Sequence, residues 1–419
     1  MHVVYCVMSL RLRLMAGMLS ASILAFPALA ADSRSLQILV SKSDQSLALY
    51  ENGEIIATSK VSTGKAGHET PSGIFSILEK RKYHESNIYS AAPMPFMQRL
   101  TWSGIALHEG KVPNYPASHG CVRLPSKFAK SLFGDTRTGV HVIITDRPVS
   151  LRFVQHPALF SPRDNADDGK LLLSDVELRP ASFDAALGAV EVAVNEKTQA
   201  IKSTAKAREP SPLRILITRR GERERVMDIQ TVLTRLGFDA GSADGYAGEM
   251  TISAINGFKR WKGLKTSGPL LTDAFVAALY ASAGEDHPPT GQIMVRQDFK
   301  PLFEAAIDIK DPEVALGTHF FEAVSVDRAA GTAEWNGVTL DNHLPAAARK
   351  RLGITVTEAP GGFDQLSAVL SRLDIPQDIR ARIEQELSSG SSITVSDLSH
   401  QMETGTGTDF ITVTKEGPV

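Results

Sequence analysis

The stretch ALHEGKVPNYPASHGCVRL, residues 106–124, gathers His108, Ser118, His119, Gly120, Cys121 and Arg123 in a chain that has only two cysteines. A thiol becomes a nucleophile when its pKa falls from about 8.5 toward neutrality, or when a base removes its proton during attack. Histidine is the natural base, because its own pKa is near neutral. His119 lies two residues before Cys121, on the same face of an extended segment, a span too short for good base geometry. His108 follows GIAL, which reads as a strand, and the loop EGKVPNYPAS can return the chain so that His108 faces Cys121. His108 is therefore the favoured base. Gly120 permits a tight turn and close approach of a substrate. The backbone N–H groups of His119, Gly120 and Cys121 are candidate donors to a developing oxyanion. Ser118 and His119 can hold the site by hydrogen bonds, and Arg123 can pair with a substrate carboxylate. A zinc site from His108, His119 and Cys121 is the alternative, but their spacing lacks a paired ligand motif and no fourth ligand lies nearby, so no metal is expected. His68 and His84 read as solvated loop residues, and His141 as a structural strand residue.

Outward from this stretch, residues 35–147 read as a mostly β domain with one or two short helices. Leu36, Ile38 and Val40 alternate, as do Leu47 and Leu49. ENGE, residues 51–54, is a hairpin signal, since Asn-Gly accepts the positive φ of a type I′ turn. Residues 125–134 have a helical pattern with Phe128 and Leu132 on one face, and GVHVIITD, residues 139–146, closes the segment as a buried strand.

The 419 residues are too many for one ordinary domain. A hydrophobic content of 42%, a charged content of 22% and a net charge of −2 describe a globular protein with no general pull toward nucleic acid or an anionic membrane. Arg11 and Arg13 precede the apolar LMAGMLSASILAFPALAA, which ends in the small-x-small site Ala28-Leu29-Ala30. Residues 1–30 are therefore expected to be a cleaved secretory signal peptide, giving an exported, periplasmic protein with no stable transmembrane anchor. Cys6 would leave with it, and Cys121 would be the one cysteine of the mature chain. An idle exposed thiol is a liability in an oxidising compartment, which favours chemistry at Cys121.

Residues 148–225 carry a weaker signal and read as a linker with an alanine-rich helix at 181–205. Residues 226–282 recover helical periodicity, with Val226, Ile229, Leu233 and Leu236 on one face, then Ile252, Ile255 and Phe258, then a short helix from Asp273 to Tyr280. In the tail, residues 291–419, a constant offset of 251 relates Pro376 to Pro125, Ile379 to Phe128, Ile383 to Leu132, Gly390 to Gly139 and Asp397 to Asp146. VALGTHFFEA loosely echoes TPSGIFSI. Either the tail is a cysteine-free copy of the first domain, or two helix–turn–strand units merely share a spacing.

SHGCVRL, with His108 and with STGKAGHETPSGIF upstream, resembles the catalytic domain of the YkuD-type L,D-transpeptidases over residues 35–147. The resemblance implies a β-rich fold, Cys121 as nucleophile, His108 as base, His119, Gly120 and Cys121 as oxyanion wall, Ser118 as support and Arg123 at a motif position. One departure is that only nine residues separate His108 from Ser118, where the commoner family pattern has a longer gap. The helical segment resembles a three-helix peptidoglycan-binding module, with Asp244, Gly245, Gly248, Thr251, Ala254, Ile255 and Phe258 on its motif. The fold class expected is thus multidomain: a mostly β catalytic domain, a small all-α wall-binding module and an α+β C-terminal region. The resemblance implies transfer of a peptidoglycan stem acyl group through a Cys121 thioester to another stem or a wall-anchored protein, without cofactor. Hydrolysis on the same fold and a non-catalytic wall-binding scaffold are the alternatives.

Overall fold

A computed structural model describes residues 35–86, 91–163, 210–341, 343–357, 364–399, 404–405 and 407–415. The expected signal peptide and the helix at 181–205 lie outside the described residues.

The first sheet grows from two hairpins. β1 (Leu36–Ser41) pairs antiparallel with β2 (Ser46–Glu51), and β2 with β3 (Glu54–Lys60). The β2–β3 turn has positive φ at both Asn52 (51°) and Gly53 (87°), the conformation the Asn-Gly pair favours. β4 (Ser72–Ser76) and β9 (His141–Thr145) complete its centre, with β9 parallel to β1 and preceded by α1 (Ser126–Asp135). Alternation of side chains divides β1 and β9 between two cores. Ile38, Val40, Val142 and Ile144 face one side with Ala129 and Leu132 of α1. Leu39 and Ile143 face the other. A small sheet, β5 (Glu79–Arg81), β6 (Met97–Arg99), β7 (Ala106–Glu109) and β8 (Val122–Leu124), lies beside it and touches the chain just beyond β3 through the Ser62–Arg123 bridge.

The segment expected to be a linker is partly strand. β10 (Arg152–Val154) and β11 (Leu213–Arg219) belong to a second, eight-stranded sheet, because each brings apolar residues to its core: Val154, Leu213, Ile215 and Ile217. β11 pairs antiparallel with β12 (Gly291–Gln297), yet three helices intervene in sequence: α2 (Glu222–Arg235), α3 (Glu249–Trp261) and α4 (Asp273–Ala283). These enclose their own core of Ile229, Leu233, Ile255, Phe258, Phe275 and Leu279. The helical module is thus inserted between two neighbouring strands of the second sheet. β13 (Lys300–Ile309), β14 (Thr318–Asp327) and β15 (Thr332–Leu340) follow. After them come α5 (Ala346–Arg351), α6 (Gln365–Ser371), β16 (Leu373–Asp374), α7 (Gln377–Glu386) and β17 (Ser392–Ser396). The sheet order is β10-β15-β14-β17-β11-β12-β13-β16, and β17 is parallel to β11.

The sheets meet face to face. Leu39, Tyr50, Ile74 and Ile143 of the first pack against Phe320, Val338 and Leu340 of the second. The chain then returns, and β18 (Thr412–Lys415) pairs with β4 as an outer strand of the first sheet. Deleting residues 404–419 removes β18 and buried Ile411, which is 2% exposed, and leaves the edge of β4 unpaired. Ile411 alone is worth about 1.5–3 kcal/mol, and an open strand edge promotes association. The truncated chain is expected to melt several degrees lower and to scatter light. An unchanged melting curve would contradict this role for β18.

Candidate active site

The parallel pairing of β7 with β8 sets the site. His108 is the register partner of Arg123, and Leu107 of Val122. Paired residues of neighbouring strands share a face, and residues two apart do too. Ala106, His108 and Arg123 therefore lie on one face, with Cys121 two residues before Arg123. Leu107, Val122 and Leu124 lie on the other and enter the first core. The first group lines a cavity of about 310 Å³ together with Met94, Met97, Arg99, Gly104, Ser118 and His119.

His108 is 8% exposed. Its Nδ1 sits 2.7 Å from the carbonyl oxygen of Glu109. A carbonyl only accepts, so Nδ1 carries the proton and Nε2 keeps its lone pair. Burial lowers the His108 pKa to about 4, so the ring is neutral at pH 7. Burial pushes the Cys121 thiol up, while a backbone contact from Ala106 and the charges of Arg123 and Arg99 oppose it. At rest the sulfur donates to the carbonyl of Gly104 at 3.4 Å. The resting pair is thus an uncharged thiol and a neutral imidazole, which, of the two routes to a nucleophile, favours proton removal during attack.

The turn before Cys121 is held from inside. Gly120 has φ +109°, and a Cβ there would meet Ile105 Cδ1 at 2.9 Å. The Ser118 hydroxyl, buried at 1% exposure, donates to the Cys121 carbonyl and accepts from Gly120 N–H. Ser118, Gly120 and Cys121 therefore come together as the sequence suggests. His119 is exposed and meets His68 edge to face, with centroids 4.7 Å apart. His68 contacts the imidazole of His119, and His84, read from sequence as a solvated loop residue, is among the residues that line the cavity. Thr70 was not singled out from sequence, although it lies in the quoted ETPSG. Its hydroxyl bonds the Gly120 carbonyl. Among the described residues three metal-ligand atoms converge only at Asp146, Asp341 and His343, where Lys42, Lys415 and Arg147 already pair with the carboxylates.

With this geometry in place, two segments of the chain match known family models. Residues 35–144 match the L,D-transpeptidase catalytic domain, the YkuD family. Residues 222–270 match a peptidoglycan binding domain family. The solved structures similar to the transpeptidase-type domain include an L,D-transpeptidase from Mycobacterium smegmatis at 20% identity, covering 27% of this chain and 59% of that one with a TM-score of 0.26. Another, from Stackebrandtia nassauensis, is 29% identical over 27% of this chain and 57% of that one, TM-score 0.26. A third, from Xylanimonas cellulosilytica, is 25% identical over 27% and 62%, TM-score 0.25. The chain thus spans less than two thirds of the length of these structures. No curated protein matches the chain.

In the helical module, three of the motif residues, Asp244, Gly245 and Thr251, bond one side chain the sequence reading missed, Gln230, buried at 2% exposure. Its amide donates to Asp244 Oδ1, the Tyr246 carbonyl and Thr251 Oγ1, and accepts from Gly245 N–H at 3.0 Å. Gly245 has φ +79°, and a Cβ there would meet Arg223 Cγ at 2.4 Å. Gly248 caps α3. Of the residues the sequence placed on the module's motif, Gly245 and Thr251 are buried and hold the loop, and Asp244 and Gly248 are exposed. Tyr246, 64% exposed with Arg223 over its ring, and Trp261, 60% exposed with Lys262 over its ring, are what the module presents.

Proposed function

We propose that the protein is an exported cysteine L,D-transpeptidase acting on peptidoglycan stem peptides. The observation that carries this reading is the pairing of β7 with β8, which gives Cys121 and a neutral His108 one cavity. His108 Nε2 takes the thiol proton as Sγ attacks the acyl carbon of the stem. Backbone N–H groups of the 119–121 turn stabilise the oxyanion. The C–N bond to the terminal residue breaks, the leaving amine takes the proton from His108, and a thioester remains. An amine from a second stem or a wall-anchored protein then displaces the sulfur. Arg123, held in no ion pair among the described residues, is placed to meet a donor carboxylate. The helical module holds the chain on its polymeric substrate and raises the local concentration of donor. Incubation with tetrapeptide muropeptides and mass analysis tests the reading. Loss of the terminal residue with formation of a joined product is expected. Tripeptide alone, with an acceptor amine present, would make the protein a hydrolase, and no change would leave it a binding scaffold. Export is tested by N-terminal sequencing of the periplasmic protein, which should begin near residue 31.

We also propose that the C-terminal region is a nucleophile-free copy of the catalytic fold. Strands β14-β17-β11-β12-β13 repeat the order of β4-β9-β1-β2-β3. The β11–β17 pair Ile215–Ile393 corresponds to Ile38–Val142, and the same offset of 251 relates β17 to β9. Asp308–Asp374 corresponds to Ser62–Arg123. This correspondence puts Arg372 at the place of Cys121. Its guanidinium donates to the carbonyls of Lys310, Asp311, Val314 and Ala315. The copy then serves as a frame that carries the helical module on one hairpin and supplies β18 to the catalytic sheet. Replacing residues 221–289 by a short turn should leave cleavage of soluble muropeptides intact and abolish co-sedimentation with sacculi. Loss of both would refute the division of labour.

A further inference from the structure

The mechanism above needs the peptide between Gly120 and Cys121 to keep one orientation, because its N–H is one of the oxyanion donors. A peptide is planar and trans, so its C=O and N–H point in opposite directions. Whatever fixes the carbonyl of residue 120 therefore fixes the N–H of residue 121. Gly120 has no side chain to restrain it, and its φ of +109° lies where glycine is most free. The restraint must come from elsewhere in the fold.

Thr70 supplies it. The residue is 0% exposed. Its Oγ1 donates to the Gly120 carbonyl at 2.7 Å and accepts from Gly64 N–H at 2.8 Å, so the hydroxyl proton has one direction to point. The N–H can only donate and the carbonyl can only accept, so between them the hydroxyl must donate to the carbonyl. The backbone of Thr70 is itself anchored, since Lys42 Nζ donates to its carbonyl at 2.9 Å and pairs with Asp146 at 2.7 Å. The loop that carries it is tight: a Cβ on Gly64 would meet the His68 carbonyl at 1.9 Å. A rigid 64–70 loop thus grips the Gly120 carbonyl from the buried side and turns the Cys121 N–H the opposite way. Ser118 does the companion job on the Cys121 carbonyl.

We infer that Thr70 is a positioning residue for acyl transfer: its buried hydroxyl sets the plane of the Gly120–Cys121 peptide and so aims the Cys121 N–H at the oxyanion. Thr70 is not among the residues that line the cavity, and its bond is to the Gly120–Cys121 peptide. The inference rests on the function proposed above.

Two reactions of the same sulfur separate this role from a general one. Acylation by imipenem forms an Sγ–acyl bond, breaks the lactam C–N bond and passes the thiol proton to the ring nitrogen through His108, with an oxyanion on the way. Alkylation by iodoacetamide displaces iodide from a saturated carbon and forms no oxyanion. In the full chain, Thr70→Val is expected to slow imipenem acylation about 10–100-fold, part of the 10²–10³ that outright loss of one donor costs. Alkylation per folded thiol should stay at the wild-type rate, and Thr70→Ser, which restores the hydroxyl, should recover acylation. Rates are taken per alkylatable, folded molecule, and Thr70→Ala is read the same way where Thr70→Val folds poorly. Wild-type acylation in Thr70→Val, an equal loss of both reactions, or no recovery in Thr70→Ser would overturn the inference. If wild-type protein is alkylated but never acylated, the proposed function itself fails, and that outcome is distinct from any of these.

Discussion

Replacing His108 with glutamine is expected to lower acyl transfer by about 10²–10⁴-fold, the usual contribution of a positioned general base. Cys121→Ala should take it to background. The resting pair is uncharged, because burial holds His108 at about 4 and raises the thiol. Without the imidazole the buried thiol loses the neutral base that shares its face of the cavity. The pH profile gives an independent check. The base works only when neutral, and it becomes protonated as pH falls through its folded pKa. The acid limb of kcat/KM for the wild type should therefore fall near pH 4 rather than near 6.5, and it should disappear in His108→Gln. A limb well above pH 4 would mean that a base other than His108 does the work.

His141→Leu is expected to destabilise the protein by about 3 kcal/mol without touching the cavity. His141 lies on β9 and is buried between the sheets. Its Nδ1 meets Glu322 at 2.8 Å, its Nε2 meets Ser392 Oγ at 3.2 Å, and Ser35 completes the carboxylate's partners. Removing the ring leaves a carboxylate of 2% exposure with one hydroxyl. The double change His141→Leu with Glu322→Leu should regain much of the loss, since an apolar pair replaces the buried charge. Burial, with Arg214 nearby, lowers the His141 pKa. Below about pH 6.5 the unfolded chain therefore takes up a proton that the folded chain refuses, and stability falls as pH falls. Buried His108 and His319, both near 4, add to the same slope. Urea melts at pH 7.5 and 5.5 should show a smaller pH difference in His141→Leu than in the wild type. An equal difference would remove His141 from this account.

Local patterns in the sequence were readable where local physics decides. Asn52-Gly53 makes its turn, residues 126–135 make their helix with Leu132 inward, and the three module helices follow their apolar faces. Cys121 and His108 stood out as candidates because their residue types carry the chemistry, and the fold lines one cavity with both. Long-range pairing was not. Nothing in residues 213–219 says that their antiparallel partner begins at Gly291, after three helices, or that β18 crosses back to β4. The loop EGKVPNYPAS was expected to return the chain toward His108, but the parallel register of β7 and β8, with Ser62 and Gly64 bridging Arg123 and Ser118, was not legible in it. Thr70 and Gln230 escaped notice for one shared reason. Each acts by bonding backbone that only the fold brings near, and a lone buried hydroxyl or amide leaves no periodic trace.

The central claim is an acyl group carried on the sulfur of residue 121 after an uncharged imidazole has taken its proton. Intact-mass analysis of the mature protein quenched in acid during turnover of a tetrapeptide donor tests it most directly. The account predicts an added mass equal to the donor less its terminal residue, mapped to the peptide containing Cys121 and released by hydroxylamine. Turnover with no such adduct under any quench time, or an adduct on another residue that persists in Cys121→Ala, would contradict it.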